Sequence, residues 1–427
     1  MTSNPFTFGN PIRDPARFFG RKQEIRQITG RLLSSAVEST SIVGERRIGK
    51  TSLLLHLANL EVAADLGLKS DQYCLVYIDF QGLTDITPQR FWQRILHRMS
   101  RTICNPELEP MIKKLRHAET FDLFDLEDLF EEINVYGLYI VLLMDEFEYV
   151  TQNPNFGSDF FGGLRALAIH HALALVPSTR RELVDLCHSD EIKGSPFFNI
   201  FANVVLRPFM MEDVNELIEG YVGDTEYALT SEEKTALMRM GGNYPFFLQI
   251  AGYYFVEGKQ QGLPPEELIP FASRCFDEQA DPHYQYTWSH SSESEKITLL
   301  ILLGLATQKL SKKTMPTIEN ISEIYSRAKI DLNSLDKRGL ILQKDDLFSI
   351  FSPHFAEWIR REMMVSPGEE EDAANVENWL REGGREDLLE VKGFIPSFKR
   401  KYWPVLGNIL KEVSFEFAAG LIMSLVT

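Results

Sequence analysis

The hydrophobic positions of this chain fall into short continuous runs separated by amphipathic stretches. Thr40 to Val43 is a short β-branched run, and "TSLLLHLANL", beyond the turn that follows it, is helical in composition. "YCLVYIDF", from Tyr73 to Phe80, and Val141-Leu142-Leu143-Met144 are further apolar runs, and "ALALVPSTRREL" and "NVVLRPF" place strands near 172–177 and 203–206. A strand apolar at every position is buried on both faces, as in a parallel sheet covered by helices. Five such strands alternating with helical stretches predict an α/β core over residues 1–208.

The pattern then changes. Residues 209–289 read as helical, with a capping box at Thr230-Ser231-Glu232-Glu233 and Gly241 placed as a helix-terminating residue. Residues 290–366 read as helix, helix, helix, hairpin, helix, with "LILQKDDLFSIF" alternating around an Asp345-Asp346 turn, which is a winged-helix pattern. Residues 367–391 are an acidic linker. Residues 392–427 are basic, and Leu406, Leu410, Val413, Phe417 and Leu421 form an amphipathic stripe. That stripe is suited to packing on the chain's own domains, on a partner, or on a membrane surface.

Composition narrows the classes. The 427 residues leave room for two or three domains, and 61 acidic against 44 basic residues give a net charge of −17. Backbone binding to nucleic acid needs clustered Lys and Arg, so the balance argues against a dominant nucleic-acid role, though a local basic face stays open. Cys74, Cys104, Cys187 and Cys275 lie far apart, as buried thiols of a cytosolic protein do. The opening "MTSNPFTFGNPIRDP" lacks a signal-peptide pattern, and no apolar run reaches the roughly 18–20 residues of a spanning helix. His283 and His290 have no cysteine near them in the sequence, so no structural metal is expected.

The chemistry begins in "SIVGERRIGKTSLLLHL", residues 41–57, which holds a glycine, four residues, then glycine-lysine-threonine. A loop Gly44, Glu45, Arg46, Arg47, Ile48, Gly49, Lys50, Thr51, Ser52 between strand and helix can wrap backbone N–H groups around phosphate oxygens. Lys50 then reaches the β/γ-phosphates and Thr51 ligates Mg²⁺. The alternative is a plain strand-turn-helix with a solvated lysine. The run Val141 to Met144 ends in Asp145-Glu146, at the sheet edge where open α/β folds bind ligands. There Asp145 would hold the Mg²⁺ shell and Glu146 would orient or deprotonate the attacking water. The alternative for "DEFE" is a solvated acidic turn.

A strand between the loop and the acids resembles the additional-strand, catalytic-glutamate division of P-loop ATPases, which includes the AAA+ and STAND groups. "DPARFFGRKQEIRQI" resembles their "F-x-G-R-x-x-E" lead-in, which implies that Phe18, Phe19, Gly20 and Arg21 lie against adenine. "GERRIGKTSL" is similar to the archaeal-type ATPase and novel STAND families. "PSTRREL" resembles the T-T-R sensor of NB-ARC members, which implies that Thr179 and Arg180 read the γ-phosphate, with Arg181 a candidate arginine finger. "GGNYPFFLQIAGYYF" resembles the STAND G-x-P lid motif, placing Pro245 over the adenine edge; helix initiation by proline is its simpler reading. His354 holds roughly the place of the NB-ARC M-H-D histidine, which contacts a diphosphate, or is a satisfied structural histidine.

The resemblance covers residues 5 to about 365. It implies a P-loop NTPase parallel sheet followed by a helical lid and a winged-helix domain. It also implies an ATP- and ADP-binding, Mg²⁺-dependent switch with slow turnover, cytoplasmic, assembling with itself or with a protein partner in prokaryotic signalling or defence. The chain departs from that family in one respect: no periodic repeat array follows the winged helix. Two rivals share the plan, a DNA-associated AAA+ ATPase of the replication-initiator or transposition-regulator type and a nucleotide-binding scaffold without turnover.

Overall fold

The computed structural model describes residues 3–103, 105–188, 196–307, 316–325 and 327–363. They form two compact units, one of Thr7–Asp224 and one of the residues up to Phe6 together with those from Thr225 onward.

In the first unit α1 (Lys22–Leu32) leads into β1 (Thr40–Val43). Then come α2 (Lys50–Leu57), α3 (Leu60–Asp65), β2 (Tyr73–Asp79), α4 (Pro88–Thr102), α5 (Leu108–His117), α6 (Leu123–Val135) and β3 (Tyr139–Asp145). The single turn α7 (Glu148–Thr151), α8 (Ser158–His170), β4 (Leu173–Thr179), β5 (Ala202–Val205) and α9 (Met211–Ile218) complete it. The five strands are parallel and lie in the order β2-β3-β4-β1-β5. The strand inserted between β1 and β3 in space is therefore β4; β2, which separates them along the chain, lies at the edge. Register pairs Val43 with Thr179 and Met144 with Pro177, so the loop, the acids and "PSTRREL" leave the sheet at one edge.

Burial on both faces explains the continuous apolar runs. Ile140, Leu142 and Met144 join a core with Phe91, Trp92 and Ile95 of α4 and with Leu126, Leu129, Phe130 and Ile133 of α6. Val141 and Leu143, on the other face of β3, are equally buried. Each such side chain contributes about 1.5–3 kcal/mol by leaving water. α4 starts where Thr87 accepts from the Arg90 N–H and Pro88 fills the first helical position. Its apolar side, Phe91, Ile95 and Met99, turns to the core.

The first unit runs on to residue 224, beyond the 208/209 boundary read from the sequence. The reason is local. Tyr221, in the π-helical turn Glu219–Gly223, donates to the Arg17 carbonyl at 2.9 Å, and the Phe19 ring lies where a Cβ on Gly220 would come within 2.3 Å of it. The segment after β5 is thereby held to the lead-in.

The second unit begins with α10 (Ser231–Gly241), opened by a capping box between Thr230 and Glu233. It continues through α11 (Pro245–Gln260), α12 (Pro265–Ser289), α13 (Glu293–Thr307), α14 (Ile318–Ile324), α15 (Ala328–Lys337), the antiparallel pair β6 (Ile341–Lys344) and β7 (Leu347–Ile350), and α16 (Pro353–Met363). The N-terminal residues belong here: Phe6 is buried against Gly252, and Asn4 donates to the Tyr253 carbonyl at 2.9 Å. Among the described residues no helix is long and apolar enough to cross a membrane. The acidic linker 367–391 and the basic tail 392–427 lie outside the described residues.

Candidate functional site

The loop after β1 is shaped by two glycines for different reasons. The Gly44 N–H donates to the Thr179 carbonyl at 3.1 Å, and a Cβ there would lie 2.8 Å from Ile48 Cγ2, so a side chain would fill the turn. Gly49 has open space around it, but its φ of +104° suits glycine alone. Arg47, at φ +66°, bends the chain just before it. α2 then starts at Lys50, with its N-terminal N–H groups and partial positive charge at the loop. Lys50 is only 5% exposed; its Nζ donates to the carbonyls of Gly44 (2.9 Å) and Glu45 (3.3 Å). The Ser52 hydroxyl accepts from the Ile12 N–H at 3.0 Å. Burial, and then the charge of Arg46, hold Arg47 below the usual arginine pKa.

The lead-in residues surround this loop. Phe18 stacks on His56 of α2, centroids 4.1 Å apart, and burial lowers the His56 pKa. Phe19 meets the edge of Tyr221 at 5.2 Å. Gly20 and Arg21 both have positive φ, and the turn they make directs the Arg21 guanidinium inward. It donates to the Ile48 carbonyl (2.9 Å), the Arg207 carbonyl (2.7 Å) and Glu24 (2.9 Å), and it lies over the Phe209 ring. Arg21 thus holds the phosphate loop to the segment after β5.

The acids stand at the end of β3. Asp145 is 1% exposed: its Oδ1 accepts from Ser178 (2.5 Å) and from the Glu146 N–H (3.2 Å), and its Oδ2 accepts from Tyr77 (3.1 Å). Burial, then the charges of Asp145 and Asp79, keep the Tyr77 phenol protonated far above its ordinary range, so it remains a donor. Glu146 has φ +53°, a left-handed conformation that costs a non-glycine residue about 1–3 kcal/mol. Its carboxyl is pushed up to about 7, first by burial and then by the charge of Glu148, against the pull of Lys50 and Arg180. Those influences put the loop lysine, the acid and the arginine in one electrostatic neighbourhood.

Glu148, absent from the sequence reading, is 1% exposed and accepts from Arg180 Nε at 2.9 Å. Its second oxygen is buried without a hydrogen-bond partner. Thr179 turns its hydroxyl to the Arg181 carbonyl at 2.6 Å. Tyr77 and Ser178 were also missed as supports of Asp145. The one available signal for Ser178 was register, since it follows Pro177 at the level of Asp145.

Two further candidates lie in the second unit. Pro245 occupies the first position of α11, behind Gly242 and Asn243, which both have positive φ. His354 is 2.8 Å from an Asp277 carboxylate oxygen and stands edge-on to Phe276.

With this geometry in view, comparison across families is decisive: the model of the family described as Novel STAND NTPase 2 matches residues 30–303. The chain belongs to that family. The matched span takes in the phosphate loop, both acids, Arg180 and Pro245, and leaves out Phe18 to Arg21 and His354. This NTPase also shares its fold with the Walker-type ATPase PABY2304 of Pyrococcus abyssi, at 17% identity and TM-score 0.53, covering 82% of this chain and 99% of that one. A second likeness is the ORC2 protein of Aeropyrum pernix in ADPNP-ADP complexes, at 14% identity and TM-score 0.51, covering 85% and 98%. No curated protein matches the chain. The NTPase is thus a nucleotide-binding P-loop protein of additional-strand type.

Proposed function

We propose that this NTPase is a STAND-type switch that binds ATP and hydrolyses it slowly with Mg²⁺. Two features of the loop suit a phosphate tail: a side chain at Gly44 would fill the turn, and the buried Lys50 ammonium rests on loop carbonyls. Thr51 and Asp145 would hold the metal, which when bound would neutralise phosphate charge. Tyr77 and Ser178 fix the Asp145 carboxylate for that task. Glu146, poised near neutrality and half-buried beside Asp145, serves as the base that takes a proton from water. Arg180 and Thr179 report the γ-phosphate, and the ion pair with Glu148 is the contact Arg180 gives up when it does so. Phe18, Phe19, Gly20 and Arg21 form the base-side wall, with Arg21 bracing the loop. For Pro245 and His354 the support is family resemblance alone.

A state-dependent ligand can shift a switch only by binding its states differently, and the γ-phosphate supplies that difference. Cytoplasmic signalling or defence through self-assembly or a protein partner, with the tail 392–427 as a candidate membrane contact, belongs to the same proposal. The observation that carries it is the placement of Glu146, a strained and partly desolvated carboxyl within the fields of Lys50 and Arg180. Glu146→Gln is expected to retain ATP while turnover falls about 10²–10⁴-fold, as for loss of a general base. Wild-type turnover by that variant in a phosphate-release assay would remove Glu146 from the mechanism.

A further inference from the structure

A second concave site lies in the first unit, away from the phosphate loop. The turn after β2, the adjoining face of α4 and the last turn of α5 line an open concavity of about 740 Å³. Small-molecule sites occupy roughly 300–1,000 Å³. Arg90, Arg94 and His97 stand at i, i+4 and i+7 on α4, and Arg116 and His117 close the α5 side. Asp85 is the acid of the described lining.

Among the described residues, no carboxylate forms an ion pair with Arg90, Arg94, Arg98 or Arg116. Arg90 donates to the neutral Gln93 side chain at 3.2 Å, and Arg94 to the Asp79 carbonyl at 3.2 Å. Arg94 Nε and His97 Nδ1 are buried without hydrogen-bond partners. Burial lowers the His97 pKa, and the charges of Arg116, Arg101, Arg98 and Arg94 push it the same way.

Ordinary helix electrostatics account for only part of this. Arg116 and His117 sit in the last turn of α5, where positive charge is favourable. Arg90 sits in the first turn of α4, where it is unfavourable, and like charges at i and i+4 repel. Among the described residues, none of the acids pairs with these arginines, although acids outnumber bases in the chain 61 to 44.

We propose that this cavity binds a small oligoanion, a phosphorylated molecule with two or more phosphate groups gripped by Arg90, Arg94 and Arg116. Guanidinium forks match phosphate oxygens in pairs, and Leu83 and Ile86 supply an apolar wall for the rest of the ligand. A depression of this volume suits a small molecule, whereas a duplex needs an extended cationic strip. The wall is tied to the nucleotide edge, because Asn153, just past α7, donates to the Ile86 carbonyl at 3.0 Å.

The test uses the full chain carrying Lys50→Ala, without Mg²⁺ and at constant ionic strength, so that the phosphate loop contributes little. Inorganic tripolyphosphate is titrated into it calorimetrically. One site is expected, and adding Arg90→Ser and Arg116→Ser should weaken it more than about tenfold, since each arginine makes charge-assisted hydrogen bonds. Lys113→Ser with Lys114→Ser removes the same charge outside the lining and should leave binding unchanged. Arg90→Ser alone, at an exposed position, should give a smaller loss in the same direction if the double variant does not fold. Absence of binding, or equal weakening by the lysine and arginine pairs, overturns the proposal. Binding of a short DNA duplex with the same arginine dependence, in place of tripolyphosphate, overturns it in favour of a nucleic-acid surface.

Discussion

Glu146 and Glu148 stand two residues apart and divide one charge problem. Glu148 is buried against Arg180, and its charge raises the neighbouring Glu146 carboxyl. A base works only when deprotonated, so kcat/KM should rise with pH through about 7 and level off above it. Glu148→Gln removes the negative neighbour whose charge raises the Glu146 carboxyl, and so lowers the Glu146 pKa. The acid limb of the profile should therefore move to lower pH, measured as initial rates across buffers of equal ionic strength. An unmoved limb would mean that a different group sets it. "DEFE" showed the two acids without showing that Glu148 is buried against Arg180 while Glu146 is only half-buried. Between them the chain turns at Glu146, with φ +53°, from the end of β3 into α7.

At the scale of elements, caps and close approaches decide how segments meet. α10 ends at Gly242, φ +55°, where a Cβ would lie 2.3 Å from the Phe351 carbonyl oxygen. Gly242→Ala should destabilise the second unit by about 1–3 kcal/mol through strain and overpacking, seen as a lowered transition in scanning calorimetry. An unshifted transition would show that this junction yields freely. The winged-helix segment carries charges in its interior. Within it, Asp331 of α15 and Arg338, just past the end of that helix, are both buried. Asp331 accepts from Ser294 and Thr298, and Arg338 pairs with Glu295 at 2.8 Å. These two charges are therefore satisfied inside the unit and are not offered at its surface. Periodicity located the helix, but which side chains turn inward depends on α13 packing across it.

For the whole molecule, the described units contain the loop, the acids and their supports, and residues 392–427 lie outside the described residues. Removing residues 392–427 should leave nucleotide affinity unchanged in a calorimetric titration. A nucleotide-free or insoluble product would make that segment part of the core. Mass measurement with ADP, ATP and a non-hydrolysable analogue would then report whether assembly follows the γ-phosphate.

Local sequence determined the elements of this protein and its phosphate loop, because strand burial, helix periodicity and a glycine-lysine-threonine turn are properties of neighbouring residues. The run ending in Asp145 announced a buried parallel strand for the same reason. Only the tertiary structure decided that β4 lies between β1 and β3, that Tyr77 and Ser178 hold Asp145, that Arg21 braces the loop, and that arginines of α4 and α5 line one concavity. Each of those depends on residues far apart in the chain, and their positions follow from how the helices pack on the sheet.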